Sequence, residues 1–305
     1  MCCLFGIYNY SGDSLNNLSN LTNILAKHAT ERGTDATGIA YNASGKLVIH
    51  KEGRSADMID LKHPDGAVCV TGHTRHATQG DKKKNFNNHP FGGSCGSLRF
   101  ALAHNGILTN DTQLKEKYHL PKTKIATDSF VAVQLIEKQK ELNADTLKFM
   151  AEKVSGSFAF SVLDTTDTLW LVRGDSPLSV IHLPEYKLYV YASTAEILYR
   201  ALIDTRLFNE IKQRKFEDVP INPGDILSIT PDGTVAYSKF DYVDYSGWYN
   251  CRWWEHGARD TTPSYDSYID DLKMIAGYRG YSSEDVDDLI QHGFSPEEIE
   301  EYMYC

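Results

Sequence analysis

The sequence predicts an α+β fold of antiparallel sheets covered by helices, followed by a small helical extension. Three observations carry this. Apolar strand segments come in close succession and are joined by tight-turn dipeptides. Only a few segments show the 3.6-residue period of a helix, and no βαβ unit repeats. The composition also changes after about Tyr242.

Residues 1–10 read as a buried strand, LFGIYNY. An amphipathic helix follows over Ser14–Ala29, with Leu18, Leu21, Ile24 and Leu25 on one face. The run from Ala36, ATGIAYNASGKLVIHKEG, reads as a hairpin turning at Ser44-Gly45. Ala67–Arg75 and Leu98–Gly106 are apolar strands that run into polar loops. Asp128–Lys140 is helical. SFAFSVLD, TLWLVRG and KLYVYAST are three more strands, and another helix begins near Ala195. GDILSITPDGTVAYSKF closes the body with a hairpin at Asp232-Gly233. Gly92–Gly96 (GGSCG) reads as a flexible loop. Past Tyr242 an aromatic linker leads to three short helices, Tyr265–Ala276, Ser283–His292 and Ser295–Tyr302. The last opens Ser-Pro-Glu-Glu, with Pro in its first turn and Glu298 in a capping box. The expected division is therefore 1–242 and 243–305.

The 305 residues carry a formal net charge of −10. Residues 241–305 hold 15 acidic and 4 basic side chains, a balance of −11 that leaves the body at +1. An acidic tail on a neutral body argues against a nucleic-acid partner. No run approaches the ~18 apolar residues of a membrane span, and no signal-peptide pattern opens the chain. The six cysteines lack CxxC spacing, so neither a disulfide framework nor a zinc site is expected, and the cytoplasm is the expected compartment. His73 and His76 form an HxxH, but Gly and Thr flank them and no third ligand is suitably spaced. Neither a metal nor a cofactor is expected.

Cys2 is the residue from which chemistry is read. Once Met1 is removed, Cys2 offers a free α-amine, titrating near ~7.7–8.0, beside a thiol near ~8.5. An N-terminal amine can activate its own side chain as a nucleophile. Four segments supply what such a nucleophile needs. In GHTRHATQG, Arg75 is either a fork for a substrate carboxylate or a salt-bridge residue, beside His76 and Thr78. In HNG, Asn105 and Gly106 are either an oxyanion hole or an Asn-Gly turn. Asp128, in ATDSF, either holds a substrate ammonium or caps a helix. In RGTDATG, Arg32 and Asp35 are read as structural, an ion pair that shapes the floor of the site.

Taken in order, Cys2, RGTDATGIA, TGHTRHATQG, NNHPF, AHNGILTN and TDS resemble the class II glutamine amidotransferases, the N-terminal-nucleophile glutaminases. They most resemble the glutaminase domain of the glutamine–fructose-6-phosphate transaminases. Looser echoes (GSFAF, VRGDSPL, ASTAEIL, PGDILSITPDG) extend the likeness to about residue 235.

The resemblance implies a four-layer αββα sandwich. It implies Cys2 as nucleophile, Asn105 and Gly106 as oxyanion hole, Arg75 on the glutamine α-carboxylate and Asp128 on its α-amino group. Residues Thr74 to His89 become a flap, with His76 and Thr78 at the substrate and His89 near the site. The implied reaction is hydrolysis of L-glutamine to glutamate and ammonia through a Cys2 thioester. Three positions depart from the pattern: His76 where Trp is usual, Gln79 where His is usual and Cys3 where Gly is usual. These touch the flap and the second position, not the oxyanion groups. The segment 243–305 is too short for a second catalytic domain. The expectation is therefore a glutaminase module that passes ammonia to a synthase partner docked through the tail. A glutamine-sensing module and a hydrolase of another amide are the alternative readings.

Overall fold

The computed structural model describes residues 2–12, 18–205, 215–242, 273 and 282–291. The chain divides into two compact units, Met1–Tyr245 and Ser246–Cys305.

In the first unit, β1 (Cys3–Asn9) leads through α1 (Leu18–His28) to the hairpin β2 (Ala36–Ala43) and β3 (Lys46–Glu52). Then come β4 (Cys69–Arg75), β5 (Phe91–Cys95), β6 (Leu98–Leu108), α2 (Asp111–Lys117), α3 (Phe130–Gln139) and α4 (Ala144–Lys153). Strands β7 (Gly156–Asp164), β8 (Leu169–Arg173), β9 (Ser179–Leu183) and β10 (Leu188–Ala192) precede α5 (Ala195–Ile203). β11 (Glu217–Asp218), β12 (Asp225–Ile229) and β13 (Val235–Lys239) complete it.

Among the described residues the strands form a seven-stranded sheet, β11-β9-β10-β1-β4-β2-β3, and a six-stranded sheet, β13-β12-β8-β7-β6-β5. Their pairings are antiparallel.

Alternation along each strand sorts side chains into layers. On β1, Phe5 and Ile7 pack with Leu21, Leu25, Ile197 and Leu198 of α1 and α5. Leu4 and Tyr8 point the other way and meet Ala103, Ala159, Leu163 and Leu171 of the second sheet. The outer face of that sheet (Phe100, Leu102, Phe160, Val162) is covered by Leu114, Val131, Leu135, Leu147 and Met150 of α2, α3 and α4. The four-layer αββα sandwich follows from these three apolar layers. Between the sheets, Tyr191 donates to Thr71 Oγ1 at 2.7 Å, and Thr71 meets Ser161 Oγ at 2.9 Å. Buried hydroxyls are thus satisfied across the interface rather than left at a cost of ~1–3 kcal/mol each.

Several boundaries differ from the sequence reading. The first helix is described from Leu18, and Asp13–Asn17 fall outside the described residues. The segment read as a flexible Gly-rich loop is instead the edge strand β5, paired with β6 from Phe91↔Leu102 to Cys95↔Leu98. Its glycines are small for a reason: a Cβ on Gly93 would lie 2.3 Å from the Phe100 ring. The short strand β9 and helices α2 and α4 were not read from the sequence. In α4 the signal was present, since Asn143 caps it by accepting from Thr146 N at 2.9 Å.

In the second unit, helix α6 (Ser283–Gln291) starts at a reciprocal cap. Ser282 Oγ accepts the Asp285 N–H at 3.1 Å, and the Asp285 carboxylate accepts the Ser282 N–H at 2.6 Å. The helices read over Tyr265–Ala276 and Ser295–Tyr302 lie, apart from Lys273, outside the described residues.

Candidate active site

Strand β1 begins one residue after Cys2 and is clamped at its start. Leu4 N–H donates to Ser193 Oγ at 2.8 Å, Ser193 N–H donates to Leu4 O at 2.9 Å, and Arg32 Nε donates to the Cys2 carbonyl at 3.0 Å. Next to it, β4 pairs Thr74 with Cys3 and so carries Arg75 to the same edge. The His76 backbone meets the thiol from both sides: its N–H lies 3.4 Å from Cys2 Sγ and its carbonyl 3.5 Å. Burial pushes the Cys2 thiol up. The His76 N–H and the Arg75 guanidinium oppose this, Asp128 adds to it, and the balance stays on the protonated side.

Arg75 is 3% exposed. It donates to Asn88 Oδ1 at 2.6 Å, to Gly80 O at 3.2 Å and to Gln79 O. Burial pulls its guanidinium down, and Cys2, Asp35 and Asp128 pull the other way. Cys2, Arg75 and Asp128 therefore lie within electrostatic reach of one another.

Asn88 was not singled out in the sequence, although NNHPF was among its motifs. It is fully buried and ties together the loop after β4. Its Nδ2 donates to Lys82 O at 2.9 Å, and its carbonyl accepts from Lys51 Nζ at 2.8 Å. Burial lowers Lys51 to about 8.

Strand β6 supplies the opposite wall. Asn105 is 2% exposed, and its amide nitrogen has no hydrogen-bond partner among the described residues. Gly106 has φ +138°, and a Cβ there would sit 2.0 Å from Ser157 O. Only glycine fits at that position. Asn105 and Gly106 lie inside β6, opposite Ala159 and Phe158 of β7, so the Asn-Gly turn reading is excluded.

Asp128 does not cap α3. Its Oδ2 accepts the Leu108 N–H at 2.6 Å, which fixes the carboxylate against the end of β6.

The remaining candidates take separate places. Arg32 and Asp35 do not form the expected ion pair. Arg32 turns to the Cys2 carbonyl, whereas Asp35 binds Lys82 and accepts the Ala77 N–H at 2.9 Å. Burial raises the Asp35 carboxyl, but Ala77 and Lys82 outweigh it and leave it below the usual range. The His76 side chain is exposed, and so is Thr78. Thr78 makes no hydrogen bond to Cys2, Arg75 or Asp128. His89 is buried beside His73, ring centroids 4.3 Å apart, and neither of its nitrogens has a partner among the described residues. Among the described residues no His/Cys/Asp/Glu group is arranged to hold a metal, and no helix is long and apolar enough to cross a membrane.

Residues 73–200 match the model of a glutamine amidotransferase domain. Glutamine–fructose-6-phosphate aminotransferase (isomerizing) of Listeria innocua is 39% identical over 157 residues, 49% of this chain and 26% of that protein. Its counterpart from Fusobacterium nucleatum is 29% identical over 242 residues, 77% of this chain and 37% of that protein. The chain thus spans between 26% and 37% of the length of these relatives. In fold, it is similar to glutamine phosphoribosylpyrophosphate amidotransferase from B. subtilis, with TM-score 0.62 and 22% identity over 79% of this chain and 49% of that one. The matched segment runs from His73 through Arg75, Asn105, Gly106 and Asp128, which line one edge of the two sheets: residues 73–200 are similar to a glutamine amidotransferase domain.

Proposed function

We propose that this domain hydrolyses L-glutamine to glutamate and ammonia, with Cys2 as the nucleophile. The observation that carries the reading is the unpartnered Asn105 amide. A buried N–H donor without an acceptor is costly in a resting protein, ~1–3 kcal/mol. An oxyanion that forms during the reaction supplies that acceptor.

The choice of base is decided by magnitude. The Cys2 thiol stays protonated at neutral pH because burial raises it. The buried imidazoles His73 and His89 are poor bases: burial drives His73 to about 3 and His89 well below its ordinary value. Whatever the thiol's own value, handing its proton to a base of pKa about 3 costs roughly 6–7 kcal/mol more than handing it to an α-amine near ~7.7–8.0. Removal of Met1 creates that amine.

In the scheme, the amine takes the thiol proton, and sulfur attacks the side-chain amide carbon of glutamine. Asn105 Nδ2 and the Gly106 N–H hold the oxyanion. The protonated amine then gives its proton to the leaving nitrogen, and ammonia departs. Water hydrolyses the γ-glutamyl thioester with the amine again as base. Arg75 holds the α-carboxylate and Asp128 the α-ammonium, so a free amino acid is the substrate.

The ammonia is passed to an acceptor enzyme, in keeping with the transferases among the relatives, and the acidic segment 243–305 is its docking element. The chain acts in the cytoplasm. Glutamate and ammonia release by the chain with Met1 removed tests the first step. Intact mass showing Met1 retained in fully active protein overturns the amine as base. Stimulation of turnover by a co-purified synthase tests the second.

A further inference from the structure

The carboxylate of Asp128 is held by more than the end of β6. Ser129 Oγ lies 3.2 Å from Asp128 Oδ1, and on its other side 2.8 Å from His104 Nδ1. The His104 ring stacks on Phe160, centroids 4.7 Å apart, and its Nε2 faces Ser157 O at 3.3 Å. Asp128, Ser129 and His104 are 5%, 2% and 1% exposed, so water does not compete for these bonds.

The single hydroxyl proton makes the arrangement directional. If His104 carries its proton on Nδ1, the ring donates to Ser129 Oγ, Ser129 donates to Asp128 Oδ1, and the carboxylate accepts two bonds, the other from Leu108 N–H. If the proton sits on Nε2, the ring donates weakly to Ser157 O and Ser129 donates to the ring. An oxygen lone pair of Ser129 then faces the Asp128 anion at 3.2 Å. The 2.8 Å contact to Ser129 and the charge of Asp128 favour the first arrangement over one built on the 3.3 Å contact to Ser157.

We propose that His104 and Ser129 are positioning residues. As the Nδ1–H tautomer, His104 orients the Ser129 hydroxyl onto Asp128, which aims the carboxylate at the α-ammonium of the substrate. This rests on the assignment of Asp128 above. Both residues reach the site through Asp128, so their loss is expected to act on substrate recognition rather than on bond making.

Two measurements on the full chain test this. Nitrogen-15 NMR of histidine-labelled protein reads the tautomer without reference to turnover. The expected result is Nδ1–H at His104 in the wild type and a switch to Nε2–H in Ser129→Ala, whose ring keeps only Ser157 as partner. Nε2–H in the wild type overturns the proposal. Kinetics then read the consequence. Ser129→Ala is expected to raise KM for L-glutamine roughly 10-fold with kcat changed less than about 3-fold, and Ser129→Thr, which keeps the hydroxyl, to restore KM. With glutaramate, which lacks the α-amino group, Ser129→Ala is expected to have no further effect. An equal KM rise for both substrates overturns the proposal. If the tautomer is as expected but Asp128→Asn leaves KM for glutamine unchanged, the assignment of Asp128 to the ammonium is what fails, and the substrate role of the pair fails with it.

Discussion

The two sheets contribute unlike halves to the site. The seven-stranded sheet supplies Cys2 and Arg75, and both are bonded to the loop that follows β4: Cys2 to the His76 backbone, Arg75 to Gln79, Gly80 and Asn88. The six-stranded sheet supplies Asn105, Gly106 and the anchor for Asp128. Those groups are fixed by strand pairing and by the Leu108 N–H. One wall therefore depends on where the stretch between β4 and β5 (76–90) sits, and the other is set by the sheet itself. Pre-placed donors act where charge develops, whereas groups tied to a loop act on substrate entry and hold. Replacing the pre-placed donor Asn105 should accordingly act on kcat and replacing the loop-tied groups on KM, while Asp128, a proposed substrate-binding group on the rigid wall, reports in KM.

The largest effect belongs to Cys2, where that division does not apply because the group is the proposed nucleophile. Cys2→Ala is expected to lower glutamine hydrolysis by ~10³-fold or more, with the thermal midpoint unchanged. Turnover near the wild-type level would remove Cys2 from the reaction. Next comes the rigid wall. Asn105→Ala should cut kcat ~10²–10³-fold, and KM should move little. A change confined to KM would show that the unpartnered amide serves binding rather than the oxyanion.

The loop-tied wall is tested through Asn88. Asn88→Ala removes the acceptor of Arg75 and two bonds to the loop, and the expected signature is a KM rise of roughly 10-fold or more with the smaller part of the loss in kcat. It also costs stability, because a buried hydrogen-bonded side chain is lost. Asn88→Asp keeps the acceptor at Arg75 and should recover part of the KM. An Asn88→Ala protein with a kcat defect alone would erase the contrast between the walls.

How much of this was legible in the sequence follows the range of the interactions. Local signals were readable. Ser44 and Gly45 form the turn of the β2–β3 hairpin at φ 50° and 71°. Asp232-Gly233 closes β12–β13, with Gly233 at φ 81°. The order of Cys2, Arg75, Asn105-Gly106 and Asp128 carried the family. What stayed hidden depends on distant partners. Lys82 takes Asp35 away from Arg32 across 47 positions of chain. Lys51 and Arg75 converge on Asn88, and nothing near Asn88 announces it. The glycines of β5 read as a loop because the sequence does not show the Phe100 ring that Gly93 makes room for. For Asp128, the helix-start pattern permitted a cap, and only the Leu108 N–H shows where the carboxylate points.

The smallest effect concerns the imidazoles buried behind the site. Burial lowers His73 to about 3, and burial also lowers His89 and His104; His63, elsewhere in the core, moves the same way. In the folded chain burial favours the neutral form of these rings, while in the unfolded chain each takes a proton near ~6.5. Below that pH the unfolded state binds more protons, so unfolding free energy must fall as pH drops, through a window that for His73 extends down to about 3. Between pH 7 and 5.5 His73 should remove about 1 kcal/mol, and the other three act in the same direction, above the range in which most carboxylates begin to titrate. Urea unfolding at the two pH values reads the loss directly. His89→Gln, which cannot titrate, should shrink the difference by the share of one histidine. A pH dependence untouched by that replacement would mean that His89 is not held neutral, and that the layer behind the two walls is wetter than its burial implies.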